Sequence, residues 1–479
     1  MDNKNDQGLG VMKLTMFAIG TTLASGVFSL SGDFAAGGAY TFATLIGWLI
    51  CGIGMLGLTM CFFELTVIKP ELTSGIYTYA REGYGTYVGF NSAWGYWMGA
   101  ILAQLAFITL LFASLGHFFE IFGEGNNLLS MVIASVVVWG LSFLILKGVN
   151  EAVAINVIVV IAKIIPIVVT VVAIVLAGAF KWSIFTENFY GAEGGLSLME
   201  QIKSTGYVTA WAFIGIEGAV VLSRRGKTTK VAGQATLISF ISLFVLYVVI
   251  SVLSMGVMPA EELAALGNPP LAGVLEAVVG PWGSSLVNLA VIISLGGAMF
   301  TYTILCVDSA FGPAVEGAFP DCLAKLNKHN APTIAVIASA VIIQIFIVII
   351  YFNEGAYQAC YAMSTSAIMV PYVFSALYYF KLLIKGEGLE KGSSNKVVAW
   401  TSAIIGTLYG CWLLYASGLT YILVATMLYA PGTIMYIYDR KKKKMKLFDT
   451  KTDVIVCVVL MVALVVAVVL TANGTIQPF

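Results

Sequence analysis

Charged side chains are scarce in this sequence. Asp, Glu, Lys and Arg together make up 10% of the 479 residues, whereas a typical soluble domain contains about 25%. Hydrophobic residues make up 59%, and they form repeated runs of about 20 residues, the length that a helix needs to cross a ~30 Å hydrocarbon core. The composition excludes a soluble globular protein and indicates an all-α, polytopic membrane protein.

Catalytic and metal-binding signatures are also lacking. The chain has two histidines, His117 and His329, no HExxH spacing and no GxxxxGK[ST] loop, so neither a zinc hydrolase nor direct coupling to ATP is encoded here. Its seven cysteines show no CxxC spacing, and we interpret them as small hydrophobic residues. We therefore expect a protein that is not an enzyme and that carries no cofactor or metal.

The apolar runs predict thirteen membrane-spanning helices. The polar N-terminus enters the first run without a small-residue cleavage site, so we expect the first helix to remain in the mature protein. The predicted spans are 14–38, 41–66, 87–116, 128–147, 151–178, 201–223, 231–257, 284–314, 331–352, 355–384, 397–416, 418–438 and 453–472.

Basic residues predict how these spans are oriented. With the N-terminus inside, nearly all of the 25 Lys and Arg residues fall in cytoplasmic loops, as the positive-inside rule requires. Only Lys181 and Lys203 fall outside, and the odd number of spans then places the C-terminus on the outer face. We interpret the basic run at 440–444 as a topology signal beside membrane lipid rather than a nucleic-acid site.

Two spans are interrupted by small residues. The first contains Ala24-Ser25-Gly26, and the sixth contains Gly215-Ile216-Glu217-Gly218. A helix unwinds at membrane depth only where protein, substrate or ions pair with the freed backbone groups. Two breaks at corresponding positions of two halves predict an inverted-repeat carrier with a binding site near the membrane midplane.

Four ionisable residues lie within the predicted spans: Glu64, Lys163, Glu217 and Asp308. Such residues are costly to bury and are seldom incidental. Glu217 lies at the sixth-span break, where it would hold a cationic substrate, carry a proton or cap freed backbone amides. Lys163 would either supply a fixed ammonium in place of a sodium ion or extend to the interface. Glu64 and Asp308 are expected to pair with loops or neighbouring helices.

Longer sequence motifs carry a family resemblance. They are Ala24-Ser25-Gly26-Val27-Phe28, the segment 211–219, and the segments 69–80, 92–97 and 252–258. At these residues the chain resembles the basic amino-acid antiporters of the amino acid, polyamine and organocation superfamily, over almost its whole length. The longer segments are most similar to the arginine:ornithine antiporter branch.

The resemblance implies an architecture and an activity. Residues 1–384 would form a 5+5 inverted-repeat core, with repeats at about 14–178 and 201–384, and 385–479 would add accessory helices. The protein would lie in the inner membrane and exchange cationic amino acids, arginine for ornithine, by alternating access. Relatives form homodimers, but the GxxxG pattern at Gly95 and Gly99 could equally pack within one subunit.

The resemblance also implies individual roles at the two breaks. Backbone amides of Ser25 and Gly26 would bind the substrate carboxylate, and the opened backbone near Trp211 and Ile214 would receive the α-amino group. Trp211 would form an aromatic wall, where a cation–π contact is worth about 0.5–2 kcal/mol. Glu217 matches the family's sixth-span glutamate, a gating position and a candidate proton sensor.

Weaker matches lie on the surrounding spans. Gln104 and Tyr302 would contribute to the substrate pocket, and Ser364 would be a polar pocket residue. Tyr96 and Tyr372 would belong to the gate, with Lys163 contributing to coupling.

Departures from the family pattern leave the substrate open. Ala24 replaces a glycine in the substrate-binding break, Asp33 lies in a segment that usually reads Leu-Pro-Gln, and Gln104 replaces asparagine. One methylene discriminates between substrates by only ~1–3 kcal/mol. Lysine, agmatine or a neutral amino acid therefore remain alternative substrates.

Three transport modes are compatible with the sequence. An exchanger, a proton-coupled symporter and a channel can all use broken helices, and a carboxylate such as Glu217 serves either of the first two. For an exchanger we expect an empty carrier to cross slowly, because an unpaired Glu217 would be left in a medium of low dielectric constant.

Overall fold

The fold was analysed in a computed structural model of the chain, which describes residues 9–23, 26–72, 75–148, 152–221, 227–352 and 356–476. Within these residues the secondary structure is helical, apart from one isolated bridge between Leu326 and Pro332. The expectation of an all-α polytopic membrane protein is confirmed.

The α-helices of the described residues are numbered in chain order. They are α1 Val11–Thr22, α2 Gly26–Ala36, α3 Thr41–Ile68, α4 Ile76–Tyr84, α5 Thr86–Gly116, α6 Leu128–Leu146, α7 Ala152–Leu176, α8 Trp182–Thr186, α9 Leu198–Ala212, α10 Gly218–Val221, α11 Thr229–Met255, α12 Ala260–Ala265, α13 Pro270–Val279, α14 Pro281–Val315, α15 Thr333–Tyr351, α16 Ala356–Ile384, α17 Glu387–Lys391, α18 Lys396–Ala416, α19 Gly418–Lys442 and α20 Lys451–Ala472.

Twelve segments of the described chain are long and apolar enough to cross a membrane. The sixth predicted span is not among them because it is divided into α9 and α10, neither of which is long enough alone. The region 258–283, expected to be a loop, contains the short helices α12 and α13. Both pack against α2, so they cover one side of the first broken span.

Polar residues begin several helices by pairing with free backbone amides. Ser197 and Glu200 form a capping box at the start of α9, and Thr450 and Asp453 form another at α20. Asn127 caps α6 in the same way. Each cap satisfies N–H groups that have no partner within the helix, so these residues fix where the helices begin.

Helix α5 forms the centre of the bundle and is buried along almost its whole length. Its most extensive contacts are with α16 and α14. Gly95 lies against the Tyr429 ring of α19, and Gly99 lies against Ile368 of α16. The GxxxG pattern therefore packs within one subunit.

The connection between α16 and α18 is held by carboxylates. Glu64 of α3 accepts hydrogen bonds from the amide and hydroxyl of Ser393, at 2.8 and 2.7 Å, and from the hydroxyl of Ser394 at 2.7 Å. The expectation that Glu64 pairs with a loop is confirmed. Hydrogen bonds from Lys69 and Lys391 hold the pKa of Glu387 below its ordinary value.

Helix α20 lies at the periphery, with all but two of its side chains exposed or half-buried, and is attached through Asp453. One carboxylate oxygen of this fully buried residue accepts from the amides of Tyr87 and Val88, at 2.9 and 3.2 Å. The other accepts from the amides of Asp449 and Thr450, both at 3.1 Å. Asp453 therefore caps α20 and the first turn of α5 together.

We predict that Asp453→Ala lowers the free energy of unfolding by about 1–3 kcal/mol, because it leaves buried amides at two helix starts without an acceptor. Thermal unfolding of the purified protein in detergent measures the loss. Asp321→Ala is the control, since Asp321 is exposed and pairs with Lys443 at the surface, an interaction worth about 0–1 kcal/mol. Equal effects of the two substitutions would contradict the capping role.

Candidate functional site

The two interrupted spans face each other in the structure. Helix α1 ends at Thr22 and α2 begins at Gly26, while Ala24 and Ser25 of this break lie outside the described residues. In the sixth span, residues 213–217 form a turn between α9 and α10. Helix α1 packs on α10, and α2 packs on α9, so the half-helices pair across the breaks.

Gly215 makes the close approach of the two breaks possible. Its φ is +97°, and a Cβ atom there would lie 2.9 Å from the carbonyl carbon and oxygen of Thr21. The Thr21 hydroxyl donates to the Gly215 carbonyl at 3.0 Å. A side chain at this position would be strained by its φ and would clash with backbone, so glycine is required.

Glu217 is buried at the turn, with 1% of its surface exposed. Its carboxylate accepts a hydrogen bond from the Gly215 amide at 3.1 Å and another from the Tyr372 hydroxyl. The hydroxyls of Tyr96 and Tyr302 are near enough to interact with it electrostatically. Three predicted residues from α5, α14 and α16 therefore surround the predicted carboxylate.

Lys163 of α7 lies beside the first break. Its side chain is fully buried, and its Nζ donates to the Gly20 carbonyl at 2.8 Å. In a continuous helix that carbonyl would pair with the amide four residues later, at position 24. The ammonium thus lies at the C-terminal end of α1, where the helix dipole favours a positive charge, and it does not extend to an interface.

Aromatic rings surround Trp211, which lies in the last turn of α9. Its ring centroid lies 6.1 Å from that of Phe107 and 5.1 Å from that of Tyr361, and Phe107 stacks edge-on with Tyr302 at 4.6 Å. Trp211 is 4% exposed, and its indole N–H finds no hydrogen-bond partner among the described residues. The aromatic wall around Trp211 therefore contains one buried N–H donor, that of the indole, that is free to bind a ligand.

Gln104 and Ser364 are engaged in helix packing. The Gln104 amide donates to the Thr303 hydroxyl at 2.8 Å, and the Ser364 hydroxyl donates to the Gly99 carbonyl at 2.7 Å. Both side chains are fully buried. In this conformation they join α5 to α14 and α16, and their role as substrate ligands stays a prediction.

The backbone expected to meet the ends of the substrate is closely packed. A Cβ atom on Gly26 would lie 3.2 Å from the Cα of Ala212, so the start of α2 touches the end of α9. The Ile214 amide donates to the Trp211 carbonyl at 3.2 Å and closes the turn. Substrate contacts at Gly26 and Ile214 stay predictions.

Phe107 and Tyr361 were not predicted from the sequence. Phe107 lies three residues after Gln104 on α5, and Tyr361 lies three residues before Ser364 on α16. Residues at this spacing share one face of a helix. Extending each predicted position by one helical turn would have identified both aromatic side chains.

The arrangement suits a polar organic ligand more than a metal. In the part of the chain that the structure describes, no group of three or more His, Cys, Asp or Glu side chains is placed to hold a metal ion. The breaks instead combine free helix ends, a buried carboxylate and an aromatic wall. Free N–H groups at a helix start attract anions, and aromatic faces attract cations.

Comparisons with known proteins agree with this geometry. A family model described as "Amino acid permease" matches residues 9–438. The chain is 39% identical to the arginine/ornithine antiporter of Pseudomonas aeruginosa, with 98% of each chain covered. It is 35% identical to the L-lysine transport protein of Corynebacterium glutamicum, covering 98% of this chain and 96% of that one, and 34% identical to the arginine/agmatine antiporter of Chlamydia pneumoniae, covering 99% of both.

We predict that Gly215→Ala lowers the free energy of unfolding by roughly 1–3 kcal/mol, because it forces a side chain into a left-handed backbone conformation against Thr21. The apparent melting temperature in detergent measures this. Gly296→Ala is the matched control: Gly296 is a helical residue of α14 with open space around it. That substitution should leave stability unchanged or raise it by up to about 1 kcal/mol. A tolerated alanine at position 215 would show that the turn rearranges freely.

Proposed function

Because the chain belongs to the amino acid permease family, we propose that it exchanges one cationic amino acid for another across the membrane, with arginine and ornithine as the expected pair. It is a secondary transporter and not an enzyme. The relatives named above support a cationic substrate, since their names refer to arginine, ornithine, agmatine and lysine.

The observation that carries the proposal is the junction of the two breaks. Glu217 and Lys163 supply partners to backbone that a continuous helix would have paired internally, and Tyr372 donates in turn to Glu217. A membrane protein retains such interruptions where they line a binding site. The junction therefore supports a substrate site at the breaks rather than a purely structural bend.

We place the two ends of the substrate on opposite sides of this junction. The carboxylate would bind at the start of α2, through the amides of Ser25 and Gly26, where the helix dipole is positive. The α-amino group would bind the backbone near Trp211 and Ile214. Opening of the contact between Gly26 and Ala212 is required for this, which agrees with a carrier that changes conformation.

Lys163 gives transport without sodium. Its ammonium donates a hydrogen bond to the Gly20 carbonyl at 2.8 Å. At this position a cation stabilises the C-terminal end of α1. Replacing sodium by choline on both sides should therefore leave exchange unchanged.

The proposed organisation is a transport core followed by accessory helices. The 5+5 inverted-repeat core comprises residues 1–384, and 385–479 provide the accessory helices. The protein would lie in the inner membrane with its N-terminus in the cytoplasm and its C-terminus outside, and would be surrounded by lipid. A homodimer through another surface remains compatible with the internal packing of Gly95 and Gly99.

Alternating access distinguishes an exchanger from a channel. Movement of the half-helices would expose the site to one side and then to the other, and substrate would cross only when the carrier is loaded. A channel would conduct without a counter-substrate, and a proton symporter would fill empty vesicles under a pH gradient.

We predict that proteoliposomes loaded with ornithine take up radiolabelled arginine and that empty vesicles do not. Trp211→Leu should raise the half-saturating arginine concentration by about 2- to 30-fold, the equivalent of one lost cation–π contact. Trp282→Leu is the control, because Trp282 is 56% exposed in the first turn of α14. Uptake into empty vesicles, with or without a pH gradient, would contradict exchange.

Glu217→Gln separates exchange from proton coupling. We predict that this variant still exchanges arginine for ornithine, at a rate lowered because the amide is a weaker acceptor than a carboxylate for Tyr372 and the Gly215 amide. Uptake is measured at equal internal and external pH and again under a pH gradient. Accumulation in empty vesicles that depends on the gradient in the wild type and disappears in this variant would establish symport instead.

A further inference from the structure

Glu217 lies in the sixth span, and the broken first span contains another acidic residue, Asp33, seven residues after Gly26. Asp33 is on the face of α2 that packs against α9. The contacts on either side define this face: a Cβ atom on Gly26 would lie 3.2 Å from the Cα of Ala212, and one on Gly37 would lie 3.3 Å from the Cβ of Ser204. The two helices therefore run antiparallel, and Asp33 lies opposite the middle of α9.

Asp33 is buried without a compensating charge. Its side chain is 9% exposed, and its buried Oδ2 has no hydrogen-bond partner among the described residues. None of the ion pairs found in the described chain includes it. By contrast, the buried carboxylate of Glu217 accepts from Tyr372 and from the Gly215 amide.

A cluster of tyrosine rings lies on the same side of α2 as this carboxylate. Tyr207 of α9 and Tyr361 of α16 are near enough to interact with it electrostatically, and their ring centroids are 4.7 Å apart. Tyr357 lies 5.7 Å from Tyr361 and approaches the hydroxyl of Ser29 at 3.1 Å, on the same face of α2 as Asp33. Aromatic faces attract ammonium and guanidinium groups, so the surroundings suit an organic cation.

A buried carboxylate with neither a cation nor a full set of donors is unfavourable by several kcal/mol. Substrate binding can supply the missing cation. We propose that Asp33, beside the cluster of Tyr207, Tyr357 and Tyr361, binds the positively charged side-chain group of the transported amino acid. This inference rests on the proposed function, and it assigns the selection of cationic over neutral substrates to one residue.

The spacing along α2 matches a single ligand. Seven residues of helix span about 10 Å, so the start of α2 at Gly26 and the carboxylate of Asp33 are separated by the length of an extended basic amino acid with its hydrogen bonds. Trp211 contacts Tyr361 at 5.1 Å between ring centroids and lies beside the path between the two ends. The substrate carboxylate would bind at one end of α2 and its guanidinium or ammonium at Asp33.

The test compares arginine with citrulline, which has a similar shape and no charge on its side chain. Proteoliposomes loaded with ornithine take up radiolabelled arginine while either compound competes, for the wild type and for Asp33→Asn. We predict that the variant binds arginine about 10- to 100-fold more weakly, as expected for the loss of a charge-assisted hydrogen bond, and binds citrulline as before. Asp33→Glu should recover part of the preference.

Glu64→Gln is the matched control, because Glu64 is a buried carboxylate that pairs with the Ser393 loop. Its ratio of arginine to citrulline affinity should equal that of the wild type, and the ratio does not depend on the amount of folded protein. A wild-type ratio in Asp33→Asn would overturn the inference, as would a change confined to the pH dependence of uptake, which would identify Asp33 as a proton carrier. Failure of the wild type to exchange any cationic amino acid would instead overturn the proposed function, and this inference with it.

Discussion

The structure depends on satisfying backbone groups where two helices are interrupted inside the membrane. Each interruption is paired with a side chain from another element: Lys163 with the carbonyl of Gly20 and Thr21 with the carbonyl of Gly215. Within the second interruption, Glu217 also accepts from the amide of Gly215. In lipid an unpaired backbone group costs several kcal/mol. The breaks can therefore exist only where they face each other, and this requirement brings α1, α2, α9 and α10 together with the side chains of α7 and α16.

Polar groups that already have partners can be separated from those that do not. Gln104 and Ser364 bind other helices, at Thr303 and Gly99. The indole N–H of Trp211, like Oδ2 of Asp33, has no hydrogen-bond partner among the described residues. Buried polar groups are normally paired, and those left over near the two breaks are the groups to which a substrate adds most.

Local sequence was sufficient to predict the spans and the two breaks, because apolar length and small residues act over a few positions of the chain. It also identified Glu217, Tyr372 and Lys163 individually. It could not predict that Tyr372 pairs with Glu217 or that Lys163 pairs with Gly20, since these contacts join residues 155 and 143 positions apart. The same applies to Asp453, which lies in the last helix and caps α5 more than 360 positions earlier. Helix α20, the thirteenth predicted span, thereby acquires a structural role that its apolar sequence does not reveal.

The pairing of Glu217 changes the physical reason for obligatory exchange. An empty carrier was expected to be slow because Glu217 would be unpaired, but its carboxylate accepts from Gly215 and Tyr372 within the protein. Among the described residues, Oδ2 of Asp33 is a buried carboxylate oxygen that has no such donor. If the substrate cation neutralises Asp33, an empty carrier must bury an uncompensated charge whenever it closes, at a cost of several kcal/mol. Each 1.4 kcal/mol slows that step about tenfold, so a loaded carrier would cross far more often than an empty one, and one amino acid would be exchanged for another.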